Sequence, residues 1–151
     1  MNGERGVSPV FGYVLTLGIS TLLVSGLLIA AGGFVEDQRE QTSRSELRVI
    51  GQQVSADIAA ADRLHRTDGA SEIAITRTIP EQVVGSQYKV AVRTDSNGPT
   101  VPYLELTATR PEVTVEIGVA SETAVAESTV SGGEIVVEYE SGPDELEVSN
   151  A

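Results

Sequence analysis

Few side chains in this sequence are equipped for catalysis or for holding a metal. No cysteine occurs among the 151 residues, which removes disulfides, thiolate ligands and cysteine nucleophiles. His65 is the only histidine, so a Ser-His-Asp site would depend wholly on it and a His-rich metal site would lack its second imidazole. It falls near the end of a predicted helix, where an ordinary polar residue belongs. Asp95-Ser96-Asn97-Gly98 begins like a calcium loop, but the glycine comes too early and no ligand series follows. That run reads as a turn between strands. Asp144-Glu145-Leu146-Glu147 has carboxylates enough to hold a divalent cation loosely and reads better as a solvated acidic tail. The glycine-rich segments do not match a phosphate-binding loop, and no Asn-x-Ser/Thr sequon occurs. The expectation is a protein that is not an enzyme, with no metal and no cofactor.

The other notable stretch is RGVSPVFGYV, Arg5 to Val14, which opens an uncharged run. Val7 to Val35 carries no charge over 29 positions, more than the ~20 residues that cross a bilayer core. A removable secretory signal has an apolar region of only about 7–15 residues. Residues 7–35 are therefore predicted to form a transmembrane helix, with Pro9 tolerated near its start. Gly12, Thr16 and Ser20 fall at i, i+4 and i+8, and Gly26 and Ala30 repeat the spacing. Such a stripe lets a second helix approach closely in lipid, although small residues are common in membrane helices in any case. Arg5 precedes the run and Glu36 and Asp37 follow it, which favours a cytoplasmic N-terminus and an extracellular C-terminal domain.

Arg5-Gly6 before Val7-Ser8-Pro9-Val10 and an apolar helix resembles the start of archaeal type IV pilin-like proteins, and the VSPV run is similar to that of their haloarchaeal members. In that family a class III signal peptide is cut by prepilin peptidase on the cytoplasmic side, and the hydrophobic helix stays on the mature protein. The resemblance implies a leader over residues 1–6, a scissile Gly6–Val7 bond and a mature chain that begins at Val7. Gly6, with no side chain to obstruct a peptidase at the membrane surface, suits that chemistry. Phe11 stands where bacterial type IV pilins carry a glutamate, as is usual for archaeal relatives, and one assembly contact is thereby missing. The partners implied are the membrane, prepilin peptidase and other pilin-like subunits reached through the helix. The function implied is a pilin-like structural subunit or assembly component of a pilus-like surface structure. The alternative is an uncleaved single-pass anchor carrying an extracellular binding module.

Charge bounds the partners further. There are 22 acidic residues against 10 basic ones, a net charge of −12, and Lys89 is the only lysine. No basic residue follows Arg110, whereas ten carboxylates do. Such a surface repels phosphate backbones, so nucleic acid is not an expected partner. High Glu and Asp with almost no Lys resembles the composition of proteins from salt-loving archaea, where screening relieves self-repulsion.

These features need elements to carry them. Within residues 36–66, Leu47, Ile50, Val54, Ile58, Ala61 and Leu64 recur at spacings of three and four, the stripe of an amphipathic stalk helix. Such a stripe most often packs on the sheet of its own domain. Ser43-x-x-Glu46 matches a capping box and Gly32-Gly33 offers a bend, so one long helix and two hinged segments both remain open. Residues 71–151 then alternate as strands: 72–78, 87–94, 103–109, 112–119, 123–130, 134–140 and 145–149, with a hairpin-like turn at Ser131-Gly132-Gly133. Phe11 and Phe34 both fall in or at the membrane, which leaves the head an aliphatic core with tyrosine. The fold class expected is α+β, a single N-terminal transmembrane helix continuing into the stalk and a small antiparallel sheet or β-sandwich head.

Overall fold

The computed structural model describes residues 7–69, 72–95 and 101–151. Helix α1 (Val7–Asp68) is followed by β1 (Ala74–Ile79), β2 (Tyr88–Asp95), β3 (Val101–Thr109), β4 (Glu112–Gly118), β5 (Ala124–Val125), β6 (Thr129–Ser131), β7 (Gly133–Glu140) and β8 (Glu145–Asn150). The chain divides into two compact units, Met1–Gln38 and Arg39–Ala151. The architecture is α+β: one long apolar N-terminal helix, then two small sheets built mainly of antiparallel pairs.

The first unit is helical through its described residues, and the helix satisfies the backbone polar groups of the uncharged run internally. Gly32-Gly33 in the first unit and Ser43 in the second are both helical. The capping box is overturned for the same reason. Ser43 lies inside the helix, where neighbouring amides already have i−4 acceptors, and its Oγ is buried without a partner. The helix ends at Asp68, two residues beyond the expected stalk. Gly69 takes φ +58°, and its N–H closes on the His65 carbonyl at 2.9 Å.

In the second unit the strands form two four-stranded sheets, ordered β1-β7-β8-β5 and β4-β3-β2-β6. Register places apolar residues in rows across each sheet. Ile75 pairs with Val137 and Val137 with Val148; Val90 pairs with Leu106 and Leu106 with Val115. The inward faces share one core with the helix residues Leu47, Ile50, Val54, Ile58 and Ala61. The amphipathic stripe therefore packs within its own domain. Leu64 departs from the expectation and stays exposed, beyond the last helical residue that reaches the core. Gly51 brings the helix so close that an added Cβ would lie 2.7 Å from Ile117 Cγ1 and 2.8 Å from Leu106 Cδ1. Tyr88 is the aromatic of this aliphatic core, and its hydroxyl donates to the Pro80 carbonyl at 2.6 Å.

Two strand assignments are corrected. Residues 123–130 do not form one strand: β5 pairs with β8, in parallel, while β6 pairs with β2 in the other sheet. Ser131-Gly132-Gly133 is then not a hairpin but a crossover, since β7 pairs with β1 and β8. Gly133 takes φ +124°, which side chains disfavour. A Cβ on Gly132 would sit 2.4 Å from the Pro80 carbonyl oxygen, so only glycine fits where the chain changes sheets.

Candidate functional site

Arg5 and Gly6, with the rest of the expected leader, lie outside the described residues. Helix α1 begins at Val7, and Pro9 occupies its first turn, where backbone N–H groups have no intrahelical acceptor. From Pro9 through Val35 every residue is exposed. Phe11 and Ile29 show 71% and 78% of their surface, and a contiguous apolar face of this extent marks a surface that another phase or partner must cover. Among the described residues this is the one helix long and apolar enough to cross a membrane.

The expected helix-packing residues Gly12, Thr16, Ser20, Gly26 and Ala30 all lie exposed on this segment. A Cβ added at Gly12 or Gly26 meets nothing within 4 Å. Thr16 Oγ1 donates to the Gly12 carbonyl at 2.9 Å, and Thr21 Oγ1 to the Leu17 carbonyl at 2.8 Å. With its hydroxyl engaged by the backbone, Thr16 itself adds no unsatisfied polar group to the stripe.

Charged side chains fasten the later part of α1 inside the second unit. Arg77 on β1 grips the buried Asp57 through both Nε and Nη2, the latter 2.6 Å from Oδ1. The hydrogen bond and charge of Asp57 raise the guanidinium above even its usual range, so the cation is permanent. Asp62 Oδ1 accepts the Thr123 N–H at 2.9 Å, and Arg66 Nη1 lies 3.6 Å from the other oxygen. Burial works against the Asp62 charge. Hydrogen bonds from Thr123, the Arg66 guanidinium and the Glu122 backbone outweigh it and hold the carboxyl below the usual carboxylate range. Both aspartates fall on the buried side of the helix stripe. A charge in that position is the signal that a partner must exist elsewhere in the chain.

His65 packs against the sheet rather than facing solvent alone. Its ring stacks on Tyr139 with centroids 3.9 Å apart, the Tyr139 hydroxyl donates to Asp144 Oδ1 at 2.6 Å, and His65 Nε2 is 3.9 Å from that oxygen. The hydrogen bond to Asp144 raises the Tyr139 phenol. Asp144 is thus a turn residue tied to Tyr139 on β7, while Glu145 and Glu147 stand on β8 opposite Glu140 and Glu138. Of Asp95-Ser96-Asn97-Gly98, only Asp95 is among the described residues. Among those residues no three His, Cys, Asp or Glu are grouped to hold a metal ion.

No curated protein and no solved structure matches the chain. A protein family described as a family of unknown function, DUF7266, matches residues 2–150, and the chain belongs to that family.

Proposed function

We propose that the protein is a pilin-like structural subunit or assembly component of a surface filament, processed by a prepilin peptidase at Gly6–Val7 and held in the membrane by its N-terminal helix. The observation that carries this reading is the exposed, uncharged apolar helix from Pro9 to Val35, joined in sequence to a domain that completes a core of its own. The Arg5-Gly6-Val7-Ser8-Pro9-Val10 motif supports a cut that spares that helix. Arg5 on one side and Glu36 with Asp37 on the other favour a cytoplasmic N-terminus and an extracellular head.

In this mechanism lipid stores the subunit and covers its apolar surface until assembly. The helix then leaves lipid for a bundle of like helices, which keeps the same surface out of water. The open flank at Gly12 and Gly26, with Thr16 closed upon its own backbone, allows close helix contact. The acidic heads face outward, where salt screens their repulsion.

Replacing Gly6 with a bulky charged residue, Gly6→Arg, tests the reading. The variant should accumulate in the membrane at unprocessed mass and fail to assemble. Unchanged mass and assembly relative to wild type would remove the main support and favour an uncleaved anchor.

A further inference from the structure

Lys89 is the one lysine in a chain with 22 acidic residues, yet among the described residues no carboxylate lies within ion-pairing distance of it. Hydroxyls surround it instead. Lys89 on β2 stands opposite Thr107 on β3 and Ser131 on β6. Thr107 Oγ1 in turn lies 3.3 Å from Thr114 Oγ1 on β4. One row across the outward face of this sheet thus offers an ammonium flanked by the hydroxyls of Thr107 and Ser131, with Thr114 one strand further on. It borders a groove of about 480 Å³ that Glu81, Gln87 and Thr109 also line, a size within the range of small-molecule sites.

The walls of the groove are held from behind. The Tyr88 hydroxyl bonds the Pro80 carbonyl at 2.6 Å, and Gly132 is pressed against that same carbonyl. The Asn150 side chain pairs with both backbone groups of Ser131, each at 3.1 Å. A polar cleft fixed in this way loses little freedom when a ligand enters.

We propose that this groove binds a saccharide bearing a carboxylate. The Lys89 ammonium takes the carboxylate, while Gln87, Thr107, Thr109 and Ser131 exchange hydrogen bonds with sugar hydroxyls, which donate and accept as these side chains do. A single unneutralised ammonium matches one carboxylate charge. Glu81 on the wall and the net charge of −12 disfavour a dianionic phosphate. The site lies on the head and is independent of how the N-terminus is processed.

The test uses the full chain in micelles of a detergent without a sugar headgroup, observed by saturation-transfer NMR. Sodium glucuronate should give saturable binding in the millimolar range, with glucose and acetate at least about tenfold weaker because each lacks half of the recognised chemistry. Lys89→Met should weaken glucuronate binding by about tenfold or more with an unchanged thermal midpoint, and Thr107→Val should weaken it less. Absence of saturable glucuronate binding, equal binding of glucose, or full binding by Lys89→Met would each overturn the proposal.

Discussion

Arg77→Met is the sharpest perturbation of the link between helix and sheet. Wild-type Asp57 keeps 8% of its side-chain surface, and its charge is met by a two-pronged guanidinium that keeps 40%. Removing one partner of a buried pair costs about 3–5 kcal/mol, because the other charge is left without compensation. Arg77 is more than a third exposed, so water reaches the vacated side and screening lowers the expected loss to about 2–3 kcal/mol. Arg77→Lys should lose less, about 1 kcal/mol, by keeping the charge and giving up the bidentate fork. The double variant Asp57→Leu, Arg77→Met removes both charges and should recover to within about 1 kcal/mol of wild type. Urea unfolding of the full chain in micelles, followed by tyrosine fluorescence, reads the head directly. A loss below about 0.5 kcal/mol for Arg77→Met, or a double variant as poor as the sum of its parts, would refute the reasoning.

Three further outcomes follow from the same geometry. Gly132→Ala should destabilise the head by about 1–3 kcal/mol in the same urea assay, because its Cβ meets backbone atoms of Pro80 and Glu81 that cannot rotate away; a neutral result would contradict the close approach. Burial pushes the Tyr88 phenol up to about 12. The neutral form is thus favoured when folded, and its contribution is complete below pH ~10 and lost as pH rises toward 12, by up to about 2–3 kcal/mol. Tyr88→Phe should flatten that alkaline slope in a pH series of unfolding midpoints. Glu138 faces Glu147 and Glu140 faces Glu145 across β7 and β8. Glu147→Lys should therefore raise stability by about 0.5–1 kcal/mol in dilute salt, an advantage that thermal melts should show shrinking in molar salt.

How far the sequence reveals this structure depends on whether the controlling force is local. The apolar run to Val35 became helix, the stripe from Leu47 to Ala61 became a core-facing helix face and residues 112–119 became β4 over 112–118, because run length, spacing of three and four, and alternation are local signals. The division of residues 123–130 between two sheets was not legible, because it is decided by which distant strand has an open edge: β2 for Val130 and β8 for Val125. The crossover at Gly132 likewise depends on Pro80, about fifty residues away in the chain and in direct contact in space. Ser43-x-x-Glu46 left the choice open because a capping motif matters only where the helix has an end; tertiary burial of Leu47 and Ile50 keeps this stretch helical. On the apolar helix, the i, i+4 spacing of Gly12, Thr16 and Ser20 is visible in the sequence, whereas the Thr16 hydroxyl closing upon Gly12 was not. The partners of Asp57 and Asp62 were hidden for a related reason. A charge on a buried face announces a need without naming the residue that answers it.

The proposed function stands on a cut between Gly6 and Val7 that keeps the apolar helix. Intact-mass spectrometry with N-terminal peptide sequencing of the protein taken from its native membranes tests this most directly. A mature chain that begins at Val7 and retains the whole run to Val35 is the predicted result. A chain that begins at Met1 or Asn2 would contradict the account and leave a simple membrane anchor in its place.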